Sequence, residues 1–181
     1  MGEDMRITGL LVGLAMVVTV SSGPSFSEDA AKKPPNFGCP DPHYDELNFW
    51  VGRWSVAGPK GKHAGDSEIQ SLAEGCVIFE SWTGASGVSG NSINVYDQAD
   101  GKWHQTWVDA TGDQVHFIGS FEKGKMNLVA DDVSTPDKKK ALIGMTLEPL
   151  ADGRVRQVGT ISADGGKTWE QQYELFYTRK P

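Results

Sequence analysis

The strongest constraint on this chain is a rhythm. From residue 53 to residue 178, short runs rich in Val, Ile, Thr, Trp, Tyr and Phe alternate with turn signals that contain glycine. Asp100-Gly101, Thr111-Gly112, Lys123-Gly124, Asp152-Gly153 and Asp164-Gly165-Gly166 are such signals. Glycine takes the positive φ that a tight hairpin turn requires, so each pair reads as a reversal of a strand. The runs predict ten strands, at 53–57, 66–73, 76–82, 92–97, 102–109, 115–121, 125–129, 142–149, 155–162 and 170–178. Strands joined by short hairpins make an antiparallel meander. A meander this long curls, and closing it removes the exposed edges. The expected fold is therefore all-β, a closed barrel of about ten strands, with a two-sheet sandwich as the alternative. A short helix at 43–50, capped by Asp41, is expected ahead of the first strand, with Tyr44, Leu47, Phe49 and Trp50 facing the core.

The first residues read as a targeting segment. Arg6 precedes an apolar run at 7–20, and Ser25-Phe26-Ser27 supplies small residues before a cleavage point at Glu28. Together these are the parts of a secretory signal peptide, 1–27. The run is short beside the ~20 apolar residues of a membrane span; an uncleaved anchor is the competing reading. Residues 28–42 form a polar, Pro-rich leader, and 43–181 a single barrel domain. The expected location is periplasmic or secreted, with no stable membrane insertion after signal cleavage. Cys39 and Cys76 are the only cysteines. In an oxidising compartment such a pair forms a disulfide, worth about 3–4 kcal/mol by loop entropy.

Charge narrows the partners. Lys and Arg number 17 against 24 Asp and Glu, a net charge of -7. Such a chain repels phosphate backbones, so no nucleic-acid partner is expected. Lys138-Lys139-Lys140, the densest basic run, reads as a solvated loop. His43, His63, His104 and His116 form no local ligand pair, and there is no Cys-x-x-Cys, so no metal site is assigned and one could arise only by convergence in three dimensions.

Candidate functional residues come from the two-residue strand period. Ile78, Glu80 and Trp82 share a face, as do Ser92, Asn94 and Tyr96, and Trp103, Gln105, Trp107 and Asp109. A face mixing aromatics with carboxylates and amides either meets solvent or lines a wet pocket, because an unpaired charge in a dry core is expensive. In the pocket reading, a small-molecule ligand stacks on Trp82 and Trp107 and is oriented by Glu80, Asn94, Gln105 and Asp109. Of Arg156 and Gln157 only one can face inward, and Arg156 joins the candidate set. Glu80 or Asp109 is the natural acid–base of an enzymatic variant, with His104 and His116 as further candidates. Gly84, Gly87 and Gly90 suggest a flexible loop over a barrel mouth.

The string Phe49-Trp50-Val51-Gly52-Arg53-Trp54 contains a Gly-x-Trp at the start of the first strand. It resembles the signature of lipocalins and, more broadly, of calycin barrels such as nitrobindins. With 91–97, 101–109 and the turn ending in Thr168-Trp169, the chain resembles a family of exported bacterial proteins of unknown function, over about 39–180. The resemblance implies a lipocalin-like fold and carries no established activity. Haem binding of the nitrobindin type would require a histidine near the C-terminal strand. Residues 170–180 have none, and no cofactor is expected. Ser162 to Trp169 is similar to the Asp-box of sialidase propellers, but a single copy reads as a structural turn. The leading expectation is an exported protein holding a small, partly apolar ligand in a barrel cavity. An enzyme using the same cavity and a ligand-free interaction module with a filled core are the alternatives.

Overall fold

The computed structural model describes residues 38–134 and 140–181. The expected signal peptide, the leader up to residue 37, and Lys138 and Lys139 lie outside these residues. Ten strands run in sequence: β1 (Gly52–Ala57), β2 (His63–Leu72), β3 (Val77–Gly84), β4 (Ser89–Asp97), β5 (Lys102–Asp109), β6 (Gln114–Glu122), β7 (Lys125–Ser134), β8 (Lys140–Pro149), β9 (Val155–Ser162) and β10 (Glu170–Arg179). Each pairs antiparallel with the next, and β10 returns to β1, with Trp54 opposite Arg179 and Ala57 opposite Phe176. The meander is thus a closed barrel. Several strands are longer than the sequence predicts. β2 starts at His63 because its backbone keeps pairing with Ala57 of β1 and Gly84 of β3, where side-chain propensity is weak. β7 continues past a register shift between Ala130 and Val133.

Alternation along the strands sends one residue in two to the interior. In β4 the buried positions are Gly90, Ser92, Asn94 and Tyr96, and Asn91 and Ile93 are exposed. The mixed polar–aromatic face is therefore the inner one. Aliphatic side chains of the other face, such as Ile93 and Val108, meet solvent.

The two ends of the barrel differ. At one end, Leu47, Trp50, Trp54, Met126, Leu147 and Val155 are fully buried. The segment expected as one helix is two short 3-10 turns, Pro42–Asp45 and Asn48–Trp50. Asp41 caps the first, accepting a hydrogen bond from the His43 N–H at 3.0 Å. Leu47, between the turns, is buried, and Trp50 and Trp54 stand together: the Trp54 Nε1–H donates to the Trp50 carbonyl at 2.7 Å. Gly52 has φ +143°, and the Arg179 guanidinium occupies the space where a Cβ would stand. That guanidinium lies 4.3 Å from the centre of the Trp54 ring, a cation–π contact, and donates to the Val51 carbonyl at 3.1 Å. Cys39 and Cys76 form a disulfide, with Cα atoms 5.3 Å apart. It ties the chain ahead of the first 3-10 turn to the β2–β3 turn. Among the described residues, no helix is long and apolar enough to cross a membrane.

Candidate functional site

The opposite half of the barrel is not filled. A cavity of about 330 Å³ lies between β3, β5, β6, β8, β9 and β10. Its polar wall is carried by Glu80, Gln105 and Gln157, and its apolar wall by Val115, Phe117, Ile143, Met145 and Leu175. Trp82, Trp107, Tyr173 and Tyr177 complete it. Tyr173 is 40% exposed and marks the level at which the cavity meets solvent.

The cavity stays open because glycines hold its large rings against the wall. Gly65 on β2, Gly90 on β4 and Gly159 on β9 are buried, inward-facing positions. A Cβ at Gly65 would stand 2.7 Å from the Trp82 ring. At Gly90 it would collide with Trp107, and at Gly159 with Tyr173. Each ring therefore covers a glycine on the neighbouring strand and leaves its other side to the lumen. Any side chain at those glycines would push the ring inward.

Among the described residues, Glu80 is the single carboxylate lining this cavity, and it is only 6% exposed. Ser67 donates to its Oε1 at 2.8 Å from β2, and Ser92 to its Oε2 at 3.1 Å from β4. The chain of bonds continues: the Asn94 amide donates to Ser92 at 3.1 Å and to the Ile78 carbonyl at 3.0 Å, and the Gln105 amide donates to Asn94 at 2.7 Å. Burial pushes the Glu80 carboxyl up to about 7, against the downward pull of the two serine hydroxyls. Facing it, the Tyr177 hydroxyl donates to Gln157 at 2.6 Å, and the Gln157 amide reaches the Met145 sulfur at 2.8 Å. Burial and the Glu80 charge raise both phenols, Tyr173 to about 12 and Tyr177 well above its ordinary value.

The structure brings Glu80, Trp82, Gln105 and Trp107 of the expected set into one cavity. Asn94 lies behind it, 1% exposed, as a brace for Gln105 and Ser92. Asp109 and Arg156 do not line it. Asp109 ends β5, and its Oδ1 accepts from the Thr111 N–H at 2.8 Å, the Thr111 hydroxyl at 2.6 Å and the Asp113 N–H at 3.3 Å. The Thr111 bonds hold its carboxyl below the usual range and tie it to the turn. Arg156 is on the outer face between Glu174, at 2.7 Å, and Glu148, at 3.5 Å. Gln157 takes the inward position. Tyr173, Tyr177 and Ser67 are absent from the expected set, and Gln157 stands in it only as the alternative to Arg156. The two-residue period offered a signal for them, since Gln157 shares the face of buried Val155 and Gly159, and Ser67 lies between buried Gly65 and Ile69.

Two other motifs have structural roles. Asp164 accepts from Lys167 N–H at 3.0 Å, Thr168 N–H at 2.9 Å and the Thr168 hydroxyl at 2.6 Å, and these bonds take its carboxyl down to about 2. Trp169 then packs over Gly144 on the outside of β8. On the outer surface, His116 reaches His104 at 3.3 Å, and His104 reaches Asp100 at 2.9 Å. Ligand atoms of Asp97, Asp100 and His104 come within 4.8 Å of one another, a convergence that local spacing does not reveal. Asp97 and Asp100 are exposed and also cap their own turn through Ala99 and Lys102 N–H.

Fold and site together define a closed ten-stranded antiparallel barrel with an internal cavity, consistent with a calycin-like barrel. No protein-family model matches the chain, and no curated protein is detectably similar to it.

Proposed function

We propose that the protein is an exported binding protein that holds a small, partly apolar molecule in its barrel. The observation that carries this reading is the cavity itself: about 330 Å³ walled by Trp82, Trp107 and Tyr173, with a continuous polar chain behind it. That volume is at the low end for small-molecule sites and suits one or two rings. A filled interior would instead have favoured the interaction-module alternative. The Cys39–Cys76 disulfide supports export to an oxidising compartment, in line with the apolar run at 7–20. The barrel also supports, without identifying, kinship with the exported calycin-like family that the Gly52-x-Trp54 string resembles.

The test is native mass spectrometry of the protein purified from the compartment in which it accumulates. A reproducible bound small molecule supports a carrier. Protein that is always free of adducts and never accepts an apolar dye such as N-phenyl-1-naphthylamine overturns the reading.

One observation favours an enzymatic variant. A carboxyl raised to about 7 and facing a cavity has the acidity of a general acid–base at neutral pH. With the guest in hand, Glu80→Gln separates the two: retained binding with lost turnover identifies an enzyme, and unchanged chemistry of the guest a carrier.

A further inference from the structure

Glu80 poses a problem of charge. A carboxylate offers about four lone-pair directions. Ser67 and Ser92 fill two of them, and the remainder belong to a group that lines the cavity. Among the described residues, the lining contains no Lys, Arg or His. The buried acid therefore has hydroxyl partners but, among the described residues, no counter-charge. Aromatic rings also surround it. Trp82, Trp107 and Tyr173 each cover a glycine with one side and turn the other to the lumen. Aromatic faces attract cations, and more strongly where water is excluded. Gln157 adds an amide oxygen that accepts from Tyr177, a further acceptor on the same wall.

We infer that the barrel selects organic cations: small amines with an aromatic or apolar body, the ammonium seated at Glu80 and the body against the indole rings and Phe117. This rests on the cavity reading above and names the class of its guest. An anionic guest would face Glu80 with no cationic side chain to compensate it among the described lining residues. A neutral guest could donate a hydrogen bond to the carboxylate but would leave its charge uncompensated. An ammonium supplies both the missing charge and the missing donors, and a charge-assisted bond to a buried carboxylate is among the stronger polar contacts available.

Proton linkage gives a second consequence. The amine needs Glu80 ionised, and that carboxyl titrates near 7. The other titratable groups facing it, Tyr173 and Tyr177, have raised phenols and stay neutral through this range. Ser67 of β2 and Ser92 of β4 do not titrate. Amine affinity therefore rises by roughly tenfold from pH 6 to pH 8, while a primary amine stays protonated throughout.

The test is isothermal titration calorimetry of the folded protein with three probes of one shape, tryptamine, tryptophol and indole-3-acetate, at pH 6 and pH 8. The expected result is tryptamine bound about 10- to 100-fold more tightly than tryptophol at pH 8, indole-3-acetate weakest, and only the amine gaining with pH. Glu80→Gln should bring tryptamine and tryptophol to within about threefold of each other. The comparison in the unaltered protein decides the matter if that variant does not fold. Tryptophol bound as tightly as tryptamine at both pH values overturns the amine assignment and leaves the cavity reading standing. Indole-3-acetate bound most tightly overturns it in the same way. No heat with any of the three, together with no uptake of N-phenyl-1-naphthylamine, removes both.

Discussion

At the residue scale, Glu80 couples stability to pH. Its carboxyl titrates near 4.5 in an unfolded chain and near 7 in the barrel. The native state therefore binds the extra proton between those values. Stability contributed by the protonated form is fully present below pH 4.5 and is lost as pH rises through 7. The full difference is about 3 kcal/mol. Urea unfolding of the native protein should accordingly show a midpoint that falls from pH 5 to pH 7.5. Glu80→Gln, neutral in both states, should flatten that part of the curve. An unchanged slope in the variant would mean that another group carries the dependence. His43, whose imidazole is held up by its hydrogen bond to Asp41, is then the first candidate, whereas Asp109 and Asp164 are held low by their turns.

At the scale of elements, the determining pairs are a glycine on one strand and a ring on the next. Gly159 faces Tyr173 directly in the β9–β10 register, and Gly90 and Gly65 lie diagonal to Trp107 and Trp82. Gly159→Ala should drive the tyrosine off the wall. The expected outcomes are a loss of about 1–3 kcal/mol from overpacking and a weaker affinity for N-phenyl-1-naphthylamine, read by thermal melting and dye fluorescence. Closed-end packing is separate. Reducing the Cys39–Cys76 bridge, whose residues are 37 apart, should cost about 3–4 kcal/mol in guanidinium unfolding and leave dye affinity unchanged. These elements also show what the sequence made legible. Hairpin glycines and the two-residue period located all ten strands and put Glu80, Trp82, Gln105 and Trp107 on one face. The period could not say which face was inner, because Ile93 and Val108 make the outer one just as apolar. Between Arg156 and Gln157 the period points to Gln157, which shares the face of Val155, Gly159 and Ile161, but the glutamates that hold Arg156 outside come from β8 and β10 and are local to neither residue in sequence. Asp109 looked like a lumen acid by parity alone. Its turn, with Thr111 two residues on, was the local chemistry that claimed it.

At the scale of the whole molecule, the barrel is an asymmetric vessel. One end is plugged by Leu47, Trp50, Trp54 and Trp103, and the other is hollow, with Trp82 and Trp107 on its wall. The six tryptophans thus divide into three at the plug, two in the cavity and Trp169 on the outside over Gly144. This distribution makes the indole N–H region of a ¹H–¹⁵N correlation spectrum a map of occupancy. Titration with tryptamine, and then with tryptophol, should shift the Trp82 and Trp107 signals while Trp50, Trp54, Trp103 and Trp169 stay in place. Movement of Trp169 alone, or no movement with either compound, would contradict a guest inside the barrel.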